Sequence, residues 1–313
     1  MFSRILVPLD GSALAEAILP QVTELATLHG AEVVLLRVAL AHVFPGTNQT
    51  EAQVQAVQEA EAYLADAVQP LLDAGIKAQT VVRYGHAAEE ILDHAEAGCV
   101  DLIAMSTHGR SGPRRWMLGS IAEKVLRAAP VPVLLVRARG ELASAAVSEA
   151  RHQLVTAHSK EIQFVPAAIH HILCPVDFSQ DSHEIAEYAG VLALRFGADL
   201  TVLHAVYDPL DITCSHIPHP PLEQLREEMI RVAEHTLQRL VNRKFRRLPR
   251  AKAVVVAGPP GQQITRYARE HGVDLIVMGT QGLSGLNHLI LGSTAERVIR
   301  FAPCPVVSIR AAA

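Results

Sequence analysis

The segment ILVPLDGS at Ile5–Ser12 returns as ILCPVDFS at Ile172–Ser179, and LHGAEVVLLRV at Leu28–Val38 returns as RFGADLTVLHA at Arg195–Ala205, both at an offset of 167 residues. By YGHAAEEIL, Tyr84–Leu92, against AGPPGQQIT, Ala257–Thr265, the offset has become 173, so the second copy carries six more residues in its middle. The match is densest at the end, where about 20 of 37 positions agree between Asp101–Arg137 and Asp274–Arg310. A period of this length is that of a domain and not of a solenoid repeat. Whatever one copy folds into, the chain of 313 residues must build twice, each time around its own core.

Each copy alternates short runs of Val, Ile and Leu with longer helical patterns. Strands are predicted near 4–9, 32–38, 78–84, 101–106 and 132–137, with helices near 12–29, 50–74, 86–98 and 119–129. Strands of the second copy are predicted near 171–176, 199–206, 251–257, 274–279 and 305–310. Gly30 and Gly197 stand where a helix must end before the next strand, the place for a left-handed cap. Strands alternating with helices imply an α/β fold with a doubly wound, five-stranded parallel sheet in each copy. Half of the residues are hydrophobic and only 4% are aromatic, which suits aliphatic strands buried on both faces. The expected domains are 1–138 and 170–313, joined by a linker over 139–169 with a helix near 141–157.

Several function classes recede on composition. A net charge of −4 gives no general attraction to nucleic acid or to an anionic membrane. The first residues, MFSRILVPLDGS, lack the apolar run of a signal peptide, and no stretch approaches the ~20 apolar residues of a membrane span. The cysteines Cys99, Cys174, Cys214 and Cys304 lack CxxC spacing and read as small core residues of a reduced compartment. A cytoplasmic protein is expected.

The chemistry concentrates in one loop made twice. STHGRSGPRRWMLGS, Ser106–Ser120, and GTQGLSGLNHLILGS, Gly279–Ser293, each leave a strand and enter a helix. Ligands of open parallel sheets sit beyond such strand ends, and a helix start offers N–H groups and partial positive charge to phosphate. The second loop has Gly279, Gly282 and, after nine residues, Gly292-Ser293; the first has Gly109 and Gly119-Ser120 but Ser106 in the leading place. A plainer reading makes Ser120 with Glu123, and Ser293 with Glu296, capping boxes of the following helices. Neither a P-loop nor a G-x-G-x-x-G fingerprint is present.

The two opening blocks, the closing MGTQGLSGLNHLILGSTAERVIRFAPCPVVSIR and the order between them resemble the universal stress protein family, here as a tandem pair. The resemblance covers nearly the whole chain except the linker. It implies an adenine nucleotide alpha hydrolase-like fold, and ATP or AMP as ligand in members with G-x-x-G-x9-G-[ST]; members without that motif often bind none. By the same resemblance Asp10 and Asp177, beside Pro8 and Pro175, contact the adenosine moiety, and Val38 and Ala205 lie against adenine. Met105 and Met278 precede the first motif position, Ser106 or Gly279. Gly109, Gly119 and Ser120, with Gly282, Gly292, Ser293 and Thr294, face phosphate. A carboxylate can accept from a ribose hydroxyl and apolar strand ends can sandwich a purine, so the physical reading agrees; each Asp also suits a local turn. Copy one adds Arg110, Arg114 and Arg115 where copy two has Leu283, Asn287 and His288, so copy two has the better backbone and copy one the better charge for a triphosphate.

Other constellations carry less. Cys214, His216 and His219 cluster without a fourth ligand, so no metal site is assigned. The basic run Asn242–Arg247 suits a helix C-terminus. No spacing supports a catalytic residue. The leading expectation is a stress-response sensor or regulator that binds adenine nucleotide, with magnesium accompanying ATP and an unidentified client protein. The alternatives are a slow ATPase or phosphoryl-transfer enzyme and a nucleotide-free scaffold. The matched last strands, VPVLLVR and CPVVSIR, lead to the expectation that the copies pair within the chain, with a homodimer as a further option.

Overall fold

The computed structural model describes residues 2–40, 49–107, 118–137, 169–207, 220–248, 250–280 and 291–310. The chain divides into two compact units, Met1–Ala167 and Ala168–Ala313.

In unit 1, β1 (Arg4–Pro8), β2 (Glu32–Ala39), β3 (Ala78–Tyr84), β4 (Leu102–Ser106) and β5 (Val133–Val136) lie in the order β3-β2-β1-β4-β5. Every pairing is parallel, with Ile5 opposite both Val33 and Leu102. The helices are α1 (Ala13–Glu16), α2 (Leu19–His29), α3 (Gln49–Asp73), α4 (Ala87–Ala97) and α5 (Ser120–Ala128). Unit 2 repeats the plan. Strands β6 (His171–Pro175), β7 (Asp199–Val206), β8 (Ala251–Ala257), β9 (Leu275–Gly279) and β10 (Val306–Ile309) lie in the order β8-β7-β6-β9-β10, again all parallel. Its helices are α6 (Gln180–Phe196), α7 (Pro220–Lys244), α8 (Pro260–Glu270) and α9 (Ser293–Phe301). The order reverses between β1 and β4, and between β6 and β9, which places a crevice at the carboxyl ends of those strands.

Burial follows from this order. Ile5, Leu6 and Val7 in unit 1, and Ile172, Leu173 and Cys174 in unit 2, are wholly buried in the central strands. The edge strand β3 is largely exposed or half-buried. Gly30 and Gly197 end α2 and α6 with φ of 63° and 64°, and each donates its N–H to the carbonyl four residues back, as a left-handed cap requires.

The helix expected over 12–29 is two helices. Pro20 stands in the first turn of α2. It has no N–H to give to the carbonyl of Glu16, and its ring would press on that carbonyl. The same place in unit 2 is Glu187, which pairs with Lys244, and α6 runs unbroken. The predicted helix near 141–157 lies outside the described residues.

Candidate functional site

At the carboxyl ends of β6, β7 and β9 a cleft of about 150 Å³ opens in unit 2. It is lined by Pro175, which ends β6, by Val176 and Asp177 just after it, and by Leu203, His204 and Ala205 near the end of β7. The lining continues with Met278 and Gly279 at the end of β9, Thr280 just after it, and Gly292, Ser293, Thr294 and Ala295 at the start of α9. Ile185 of α6 and Ile264 of α8 close it with apolar surface. Of the positions singled out in copy two, Pro175, Asp177, Ala205, Met278, Gly279, Gly292, Ser293 and Thr294 converge on this one cleft. Gly282 lies outside the described residues. A more open hollow of about 420 Å³ shares Pro260, Ser293 and Thr294 with it and is lined further by Tyr207, Arg297, Arg300 and Phe301.

Local chemistry fixes the strand-to-helix turn in the same way twice. Asp10 Oδ1 accepts from the backbone N–H of Ser12 at 2.9 Å and from its hydroxyl at 2.6 Å. Asp177 Oδ1 accepts from the N–H of Ser179 at 3.0 Å and from its hydroxyl at 2.5 Å. Each serine oxygen in turn caps its helix, accepting from the N–H of Ala15 or of Ser182. Both aspartates thus hold a turn, the role a short carboxylate suits, and Asp177 also lines the cleft.

The turn needs a residue with positive φ in its middle. Copy one supplies Gly11 at 84°, whereas copy two supplies Phe178 at 64°. The left-handed region costs an L-residue roughly 1–2 kcal/mol, so Phe178 is strained where Gly11 is not. Its ring stacks on His204, with centroids 4.1 Å apart and 29° between planes. His204 Nδ1 lies 2.8 Å from the Val176 carbonyl oxygen, and the Val176 N–H donates to the Leu203 carbonyl at 2.8 Å. Burial pushes the His204 pKa down, opposed by the Val176 carbonyl and by Asp177. Neither residue carries a motif, and sequence reasoning missed both; the alignment of Phe178 with Gly11 was the available signal.

Unit 1 sets Pro8, Asp10, Val38, Met105, Ser106, Gly119 and Ser120 around the same end of its sheet, at the ends of β1, β2 and β4 and at the start of α5. The furnishing differs. Arg37, the counterpart of His204, lies with its guanidinium 4.6 Å over the Tyr63 ring. The Tyr63 hydroxyl donates to Glu16 Oε1 at 2.9 Å, and burial, with Glu16, pushes its pKa up. Ser106 is buried, whereas its counterpart Gly279 is half-buried and faces the cleft. Gly109 and Arg110, with Arg114 and Arg115, lie outside the described residues, as do Leu283, Asn287 and His288.

The helix starts correct one expectation. Gly119 and Gly292 are the N-caps, and neither helix has a side-chain cap. Ser120 and Ser293 are already helical, so the capping boxes do not form. Glu123 and Glu296 turn instead to Arg127 and Arg300 one turn on. The first N–H groups of α9 therefore open beside the cleft without a serine oxygen across them. Gly119 and Gly292 have φ of −63°, so left-handed freedom is not what they provide. Gly292, which lines the cleft, sets no side chain there. Each glycine also pins the base of its loop, donating its N–H at 2.9 Å to the carbonyl of Thr107 or Thr280.

The cysteines divide. Cys174 is buried, and burial pushes both its thiol and that of Cys304 up to about 12. Cys99, expected in the core, is exposed; it follows the end of α4 with φ of 51°, a turn position that no core element surrounds. Cys214, His216 and His219 lie outside the described residues. Among the described residues, no group of three or more His, Cys, Asp or Glu is placed to hold a metal, and no helix is long and apolar enough to cross a membrane.

A doubly wound parallel sheet whose strand order reverses beside the central strand, built twice in one chain, defines the class as a tandem doubly wound α/β protein. The model of the universal stress protein family matches residues 1–137 and 168–310, and the chain belongs to that family. A universal stress protein of Mycolicibacterium smegmatis is 25% identical over 318 residues, covering 98% of this chain and 96% of its own. Universal stress protein YxiE of Bacillus subtilis is 32% identical over 144 residues, which is 97% of that protein and 44% of this one. The crystal structure of a universal stress protein from Archaeoglobus fulgidus covers 98% of both chains with a TM-score of 0.69 at 23% identity, a likeness of fold.

Proposed function

We propose that the chain binds an adenine nucleotide, ATP or AMP, at the carboxyl ends of its strands, and that occupancy makes it a sensor or regulator in the stress response of a cytoplasmic cell compartment. In this reading 1–138 and 170–313 are the two nucleotide-fold domains and 139–169 joins them. The observation that carries it is the convergence of Asp177, Ala205, Gly279 and Gly292–Thr294 on one cleft in unit 2. The division of labour is physical. Apolar Ala205 at the end of β7 suits the face of a base, Asp177 can accept from a ribose hydroxyl, and the uncapped start of α9 favours phosphate. In this reading magnesium accompanies ATP as its counter-ion. Unit 2 is the tighter site, because Gly279 faces its cleft where Ser106 is buried in unit 1.

Titration calorimetry of the full chain with ATP and AMP tests the reading. Saturable binding that weakens in Asp177→Ala and in Gly292→Val is the expected result. Protein that binds neither nucleotide at millimolar concentration would favour a scaffold. Phosphate release over hours from a binding-competent protein would move the reading towards an ATPase.

A further inference from the structure

The two copies give equivalent segments opposite charge. α3 and α7 are each 25 residues long and each packs on the edge strand of its unit, β3 or β8. α3 contains five acids, Glu51, Glu59, Glu61, Asp66 and Asp73, and no Lys or Arg. The stretch 235–252, from the second half of α7 to the start of β8, contains seven cations and no acid. Local stability does not account for the acids of α3. Asp73 is the last residue of that helix, where the helix dipole favours cations. Departures from such local rules mark functional or strained positions.

Neither charge is satisfied within its own unit. Glu61, Asp66 and Asp73 are exposed and make no ion pair among the described residues; Asp73 accepts from the Gln69 side-chain amide at 2.8 Å. In unit 2, Lys244 pairs with Glu187 and Arg250 with Asp199. Arg239, Arg243, Arg246, Arg247 and Lys252 are exposed and make no ion pair among the described residues. The turn that presents them is held in place. Phe245 is buried, and its Cε1 lies 2.6 Å from where a Cβ on Gly190 would stand. The N–H of Phe245 donates to the Val241 carbonyl and that of Leu248 to the Phe245 carbonyl, both at 2.9 Å, and that of Ala251 to the Leu248 carbonyl at 3.1 Å. Unit 1 lacks this lock: Thr23 stands at the place of Gly190, and Ala74 follows α3 where Phe245 follows α7. Cations on a fixed turn lose less freedom on pairing than cations on a loose one.

An acidic surface and a basic surface, each without an ion-pair partner, complement one another, and every molecule brings one of each. A nucleic acid or another polyanion would meet the basic turn but would be repelled by α3 and would leave its acids unexplained. We propose that the acidic second half of α3 in one molecule docks on the basic turn after α7 in a second copy of this chain. The two faces lie on different units, so the contact joins unlike surfaces, and it is independent of the nucleotide reading above. Complementary charge speeds encounter and decides which surface meets which more than it tightens a complex. The association is therefore reversible and sensitive to salt.

Sedimentation velocity of the full chain is the test. At about 0.05 M salt the unaltered chain should show an association step that grows with concentration, and at about 1 M, where the Debye length is about 3 Å, that step should be lost. Arg246→Glu/Arg247→Glu and Asp66→Lys/Asp73→Lys should each, alone, weaken it by roughly tenfold or more, since like charges then meet. An equimolar mixture of these two variants should restore it, because each offers the other an opposite charge at both faces; a merely structural role for these residues would not give that rescue. Arg246→Gln/Arg247→Gln removes charge without reversing it and should weaken the step by a smaller factor, which keeps the idea testable if a reversed variant has a lowered urea midpoint. The proposal is overturned by an unaltered chain that stays monomeric at low salt, or by an association indifferent to salt and to every variant. It is equally overturned by a mixture that stays apart although both variants keep their urea midpoints. Loss of binding to a short RNA or to polyphosphate in Arg246→Gln/Arg247→Gln, with self-association unchanged, also overturns it and assigns the turn to a polyanion.

Discussion

Gly11 and Phe178 show how far a single residue can separate two copies of one design. Both sit at positive φ between an aspartate and a serine that hold the same turn, but only one of them adds a ring at the mouth of the sheet. Gly197 is the opposite case, a position where the glycine is needed for conformation alone. It ends α6 at φ 64°, and nothing lies within 4 Å of where a Cβ would be. Gly197→Ala should therefore cost stability through backbone strain and not through a clash. The expected loss is about 1 kcal/mol, read as a lower urea midpoint with unchanged m-value. Asp177 joins turn and cleft. Asp177→Asn keeps an oxygen able to accept from Ser179, so the fold should persist, while the charge that a ribose hydroxyl would meet is gone. The expected result is a midpoint within about 0.5 kcal/mol of the unaltered protein and AMP affinity lowered several-fold by calorimetry. Such residues were legible to different degrees. Gly30, Gly197 and the two aspartates announce themselves by type and place. His204 does not, because its hydrogen bond to the Val176 carbonyl and its stacking on Phe178 join residues 28 and 26 positions apart in the chain.

At the scale of elements the alternation of apolar runs was enough to place the strands, because parallel strands buried on both faces leave no ambiguity of register with solvent. The helix starts were less legible. S-x-x-E at Ser293 suggests a capping box, but backbone geometry moves the cap to Gly292, and Arg300 attracts Glu296 instead. Pro20 was visible, but its effect depends on whether α1 can continue past it. A further tie escaped notice, since it links the ends of distant elements. Asp274, just before β9, accepts the N–H groups of His170 and His171 at the start of β6, both at 2.9 Å. Asp101 does the same for Ser3 and Arg4 in unit 1. Each carboxylate closes two strand-end donors that the ladder leaves over. Asp274→Ala should destabilise unit 2 by about 1–3 kcal/mol, and Asp274→Asn should recover part of that. Hydrogen exchange would localise the effect: faster exchange at His171 and its neighbours in β6, with β1 unchanged, is the expected pattern.

Across the whole molecule, buried titratable groups set the pH range in which the fold is most stable. His171 is held between two partners, with Nδ1 donating to the His271 carbonyl at 3.3 Å and Nε2 accepting from the Thr201 hydroxyl at 2.8 Å. Burial pushes the pKa of His94, His171 and His204 below the ordinary 6.5. In the unfolded chain these imidazoles take up protons as the pH falls through about 6.5, while in the folded chain they resist, so unfolding binds protons and stability falls with falling pH. The opposite flank comes from thiols. Cys174 and Cys304 are pushed up from the ordinary 9.0 to about 12 by burial. Above pH 9 the unfolded chain loses their protons before the folded chain does, so stability falls again as the pH rises. The urea midpoint should be nearly flat between about pH 6.5 and 9 and should decline on both sides. Replacing His171 by Gln, which can still donate to one partner and accept from the other, should flatten the acid side without removing it, because His94 and His204 remain. Cys174→Ala should flatten the alkaline side alone. A midpoint that rose on acidification from pH 7 to 5.5 would mean that these histidines gain charge on folding, and that the ties at His171 and His204 are not those of neutral imidazoles.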